Sequence, residues 1–126
     1  MKPEKLDKIK KMREYLKSLS KEDRQQIADK YGYHSIDGHT YSRTNQCFLA
    51  FQTSFNDNIQ GTFAGFKQWK NAGRTVKKGE HGYMIWFPAG FKNQDNDIVE
   101  VTHYYTTTVF DISQTEELKV VASVSA

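Results

Sequence analysis

Leu6, Ile9, Met12, Leu16 and Leu19 recur at helical spacing with Lys, Arg and Glu between them, which predicts an amphipathic helix of about four turns. Ser20, with Asp23 three residues on, has the form of a capping box for a second helix ending near Tyr31-Gly32. From Gly32 to Thr40 the residues are short, polar or turn-forming, and they predict a linker. Ser42 then caps a third helix, in which Thr44, Phe48, Phe51 and Phe55 share one stripe and Asn45, Leu49 and Gln52 the neighbouring one. Those phenylalanines are expected in the core. Asn56, Asp57 and Gly61 supply a loop. Thr62 is expected to cap a fourth, shorter helix that stops at Gly73, with Phe63, Phe66 and Trp69 on its stripe.

After Gly73 the period of the pattern changes. Arg74-Thr75-Val76 reads as a short strand, Lys77 to Gly82 as a glycine-bracketed turn and Tyr83 to Phe87 as a strand closed by Pro88, together a hairpin. Phe91 to Asp97 predicts a polar loop, and Ile98 to Ile112, rich in Val, Thr, Tyr and Phe, one long bent strand or two short ones. The tail from Glu116 to Ala126 has no clear end signal and is expected to fray. Helices first and strands after, with no βαβ alternation, predict an α+β fold: N-terminal helices packed on one face of a small, mostly antiparallel sheet. The expected division is residues 1–40 for the helical pair and linker, 41–116 for the core and 117–126 for the tail, within one compact domain.

Composition narrows the function classes. A chain of 126 residues is long enough for a modest core without disulfides or metals. Its single cysteine, Cys47, lies in an apolar run, so a disulfide scaffold is excluded and a reducing, cytoplasmic compartment is expected. No apolar run approaches the roughly 20 residues of a membrane helix, and no secretory signal is visible, so no membrane association is expected. The net charge of +3 is mild, but it is unevenly spread. Met1 to Lys30 carries ten cations and six anions, Tyr31 to Gly90 six and three, and Phe91 to Ala126 two and six. Within the middle segment every lysine falls between Lys67 and Lys78, which makes the basic character there a patch.

That patch is the most informative stretch. Between Lys67 and His81, five cations crowd against one glutamate, with Trp69 and two glycines among them. Glycine lets successive backbone N–H groups aim at an anion, and ammonium groups release counterions from a phosphate chain. A lysine-lysine-glycine turn alone is more often a soluble edge. Large rings change the balance: Tyr83, Ile85 and Phe87 face one side of their strand, Met84 and Trp86 the other, and Tyr104 and Tyr105 split likewise. Any one of these rings is best read as core, but exposed rings beside a basic turn are what an unpaired nucleic-acid strand stacks on. Other chemistry finds little support. His34, His39, His81 and His103 lack ligand spacing, no cofactor fingerprint is present, and Ser42, Ser54 and Ser113 lack a nucleophile elbow.

The order of these motifs resembles the N-terminal single-stranded-DNA-binding domain of the ArdC antirestriction family, found on plasmids and other mobile elements. The resemblance runs from about Tyr41 to Glu116 and is most specific at Phe63, Trp69-Lys70 and Gly73 to Gly82, followed by an apolar strand ending Phe87-Pro88. Asn45 and the run Val109 to Glu116 also match. The resemblance implies a binder of single-stranded DNA without sequence preference, and the lack of catalytic motifs leads to the expectation that the chain is not an enzyme. Carried over by position, its surface would use Asn45, Trp69, Lys70, Arg74, Lys77, Lys78 and Tyr83. Tyr41, Arg43, Lys67 and His81 complete the candidate set: cations hold phosphates, Tyr41, Trp69 and sheet aromatics stack bases, and Asn45 orients the loop or contacts the strand. Arg43 stands where the family often has glycine. Longer members continue into a zinc metallopeptidase-like domain with a His-Glu-x-x-His helix, to which nothing in this chain corresponds.

RNA fits the same contacts, since stacking and phosphate grips do not read the 2′-hydroxyl. The alternative from another class is a protein-interaction domain that docks onto a restriction or replication protein through its lysine-rich helices. A place as one part of a larger mobile-element protein is a third expectation.

Overall fold

The computed structural model describes residues 3–94 and 98–118. Residues 95–97 of the expected polar loop and the tail from residue 119 lie outside the described residues. The N-terminal periodicity forms α1 (Pro3–Ser18) and α2 (Lys21–Tyr31). The capping box between them is complete: the Asp23 N–H donates to Ser20 Oγ at 3.0 Å and the Ser20 N–H to Asp23 Oδ2 at 3.2 Å. Arg24 of α2 donates to the Leu16 carbonyl in the last turn of α1 at 2.7 Å, satisfying one of the acceptors a helix end leaves open.

The stretch expected to be a linker is part of the sheet. Tyr33 is buried, and β1 (His34–Ser35) runs parallel to β2 (Thr62–Ala64). Thr62 therefore starts a strand and caps no helix; the short helix α4 begins later, at Phe66, and ends at Asn71. Buried Asp111 decides this locally, because its carboxylate accepts the N–H groups of Gly61 at 2.8 Å and Gln60 at 3.0 Å and fixes the entry to β2. A buried carboxylate needs such donors.

Strands β4 (Tyr83–Lys92) and β5 (Ile98–Asp111) form a long antiparallel ribbon, and β4 continues through Pro88. The order β1-β2-β5-β4 leaves β4 at the edge of the main sheet. The expected hairpin does not form. β3 (Arg74–Val76) instead pairs with β6 (Thr115–Glu117), reached from β5 through a short 3-10 turn at Ile112–Gln114, in a separate two-stranded sheet. The basic turn is thus a crossover between two sheets.

Helices and strands make the expected α+β fold, with one refinement. α3 (Arg43–Thr53) packs beside β4 and feeds both cores. Leu49 joins Tyr33, Phe63, Ile85 and Val109 on one face, while Phe48 joins Met12 and Met84 on the other. Phe55, expected in the core, is 99% exposed just past the helix end. Among the described residues no helix is long and apolar enough to cross a membrane.

Candidate nucleic-acid interface

An amide stripe on α3 determines how β4 can be used. Asn45 accepts the Trp86 N–H and donates to the Trp86 carbonyl, both at 2.8 Å. Two turns further, Gln52 does the same for Met84, at 2.8 and 2.7 Å. Alternate residues of a strand present their backbone groups to the same edge, so the two amides stand in for a neighbouring strand. Pro88, two residues on, has no N–H to leave open. A third amide, Gln46, holds Tyr33 by its N–H at 2.8 Å and its carbonyl at 2.7 Å.

The basic turn is held from the 3-10 turn that follows β5. Gln114 donates to the His81 carbonyl at 2.7 Å and to Glu80 Oε2 at 3.1 Å, and its own carbonyl accepts the Lys77 N–H at 2.9 Å. Gly79 takes a φ of +87°, favoured only by glycine. Gly82 is needed for space, since a Cβ there would lie 2.2 Å from Thr108 Cγ2. The tip of this turn faces Phe51 and Phe55 across a cleft of about 610 Å³.

On the far half of the ribbon, rings emerge from the core. Phe87 and Tyr105 are cross-strand partners on the face that also carries Ile85, and they are 45% and 59% exposed. They continue a groove of about 580 Å³ that Phe87 lines with Tyr41, Asn45, Gly65, Gln68 and Thr107. Tyr104, 56% exposed, lies on the opposite face.

The family model for the N-terminal domain of the anti-restriction factor ArdC matches residues 6–121. The chain belongs to this ArdC N-terminal family. The match takes in both N-terminal helices. Two crystal structures of the antirestriction protein ArdC from plasmid R388, one metal-free and one with Mn(II) bound, share the fold. Each aligns at a TM-score of 0.57, with 18% and 19% identity, over 76% of this chain. The chain spans 42% and 40% of the length of the chain in those two structures. No curated protein sequence matches it.

In this ArdC-type domain the candidate residues fall into separate places. Trp69 is 1% exposed and its indole N–H donates to the Phe110 carbonyl at 2.9 Å, so it is a core residue that offers no face to a base. Asn45 is likewise buried, with its amide bonded to both backbone groups of Trp86, so its first role is to hold β4. Tyr83 packs edge-on against Phe63, and its hydroxyl accepts from Asn56 at 3.2 Å. Tyr41 packs on the same phenylalanine and lines the groove; burial, then Asp37, pushes its phenol up to about 12.

The cations divide similarly. Arg74 donates to Thr115 Oγ1 at 2.7 Å and to the Thr115 carbonyl at 3.2 Å, which fixes it to β6. Lys77 reaches the Ser113 carbonyl at 3.3 Å, and Arg43 donates to Gln25 of α2 at 3.2 Å. Lys67, Lys70 and Lys78 are exposed and have no hydrogen-bond or ion-pair partner among the described residues, and exposed His81 lines the cleft beside the turn. Among the described residues no three His, Cys, Asp or Glu side chains gather as metal ligands would. Gln46 and Gln114 were not among the candidate residues read from the sequence, and Gln52 was placed only on a helix stripe with Asn45 and Leu49. For Gln52 a signal existed, because its spacing of seven from Asn45 repeats one helix stripe across Leu49.

Proposed function

We propose that this ArdC-type domain is a non-catalytic module that binds single-stranded DNA without sequence preference in antirestriction. One observation carries the reading: Phe87 and Tyr105 are large rings, roughly half exposed, paired across neighbouring strands where the ribbon leaves its core. Neighbouring exposed rings mark an interaction surface, and unpaired bases stack on such rings whatever their identity. Bases lie on Phe87 and Tyr105 along the Tyr41 groove, while Lys77 and Lys78 hold backbone phosphates at the other end of β4. From Tyr83 to Phe87 a strand rises roughly 13 Å, a span of a few nucleotides.

The test is fluorescence anisotropy of a labelled mixed-sequence single strand and its duplex across a salt series. The reading expects preference for the single strand and a steep fall in affinity with salt. Equal binding of the duplex removes the stacking argument, and no binding at low salt removes the function.

A further inference from the structure

On the face of the ribbon opposite the groove, a second cleft of about 600 Å³ lies between α1, the start of α3 and the paired strands. Arg13 and Lys17 of α1 border it, Trp86 and Tyr104 supply aromatic walls, and Thr44 adds a hydroxyl. Among the described residues no acidic side chain lines it, whereas Asp37 lines the groove and Glu80 the cleft beside the basic turn. The Arg13 guanidinium sits 5.2 Å from the Trp86 ring centroid, and the Tyr104 ring 5.7 Å from it. Neither Arg13 nor Lys17 has an ion-pair partner among the described residues. Trp86 also carries a solvent-shielded indole N–H with no acceptor.

We propose that this cleft is a distinct binding site for one nucleoside monophosphate unit, free or as part of a strand. The chemistry of the lining selects that class. Tyr104 offers an open ring face for a planar base, and two unneutralised cations stand where an attached phosphate would reach. The combination requires an aromatic ring and an anion in one ligand, which distinguishes it from a site for an apolar helix or a free phosphate. The cleft meets the groove along Ser42, Asn45 and Trp86, but Arg13, Lys17 and Tyr104 line the cleft alone, and on those three residues the site rests.

Tryptophan fluorescence tests it in the unlabelled chain. Trp69 is fully enclosed, which leaves Trp86 as the reporter. The probes are thymidine monophosphate, thymidine and inorganic phosphate, each titrated against wild type, an Arg13→Gln/Lys17→Gln double variant, Tyr104→Ala and Phe87→Ala/Tyr105→Ala, with circular dichroism confirming the fold. The expected result is saturable quenching by the monophosphate, weakened about tenfold in the double variant and reduced in Tyr104→Ala. Thymidine binds more weakly, and Phe87→Ala/Tyr105→Ala leaves the response intact. No saturable quenching overturns the proposal. So does equal binding of thymidine that ignores the double variant, which would make the cleft merely apolar, or a response abolished by Phe87→Ala/Tyr105→Ala, which would place the nucleotide in the groove. Quenching by the monophosphate in a chain that fails to bind an oligonucleotide would uphold this site and sink the strand-binding reading.

Discussion

From Tyr83 to Trp86, β4 has β5 on one edge, the amides of α3 on the other and a packed cluster on each face; at Phe87 the amides end, and its ring and that of its partner Tyr105 meet solvent. The pairing with β5 also slips at Ala89/Gly90 and again at Phe91/Lys92. One strand thus serves two purposes. Its inner half has its backbone satisfied by amides of α3 and its side chains packed into the cores; its outer half keeps strand geometry but leaves the ring of Phe87 at the surface beside Tyr105 of β5. The difference sets the exposed rings proposed to stack bases beside a stretch of strand that is bonded on both edges, which would hold ring positions fixed.

Substitutions should separate the two halves. Asn45→Leu strands the buried N–H and carbonyl of Trp86, so we expect a loss of about 2–4 kcal/mol in stability by urea denaturation. A loss no larger than a surface substitution gives would mean that the inner half is not held as described. Phe87→Ala/Tyr105→Ala should behave in the opposite way: stability within about 0.5 kcal/mol of wild type, but single-strand affinity weaker by about 1–3 kcal/mol per stacked base. Lys77→Ala/Lys78→Ala should act more gently, flattening the slope of log affinity against log salt by roughly 1.4 units if both lysines meet phosphates. An unchanged slope would take the basic turn out of the interface.

The smallest effect concerns Tyr41. Burial, then Asp37, raises its phenol from 10.0 to about 12, so the fold favours the neutral form. Its contribution is fully present below the unfolded value near 10 and is lost as pH rises toward about 12. Tyr41→Phe should therefore lose less stability than wild type across that window in pH-dependent melts, and parallel curves would count against the assignment.

What the sequence conveyed follows the range of the forces involved. α1, α2 and α3 were legible because periodicity and caps act within a turn or two, as at Ser20 and Ser42. The partner of β3 was not legible. Six residues between two apolar runs look like a hairpin, but Arg74 and Val76 find Glu117 and Thr115 about forty residues away, and Gly82 is drawn against Thr108. Trp69 misled for the same reason: among lysines it resembles a stacking platform, yet its N–H is met by Phe110, 41 residues on. The exposed rings could be assigned to faces by alternation, but which stretch of each face would lie beyond the core depended on where α3 stops covering β4.

The amide stripe also bears on how the chain folds. Its bonds join residues separated by 41 positions for Asn45 and Trp86 and by 32 for Gln52 and Met84. The three N-terminal helices have local starts, but α3 cannot settle its polar stripe until β4 has formed and arrived. Contacts of that sequence separation close slowly compared with helix formation. We expect the docking of α3 onto β4 to be among the slow steps of folding, and Asn45→Leu should alter the refolding rate if that docking is already made at the barrier.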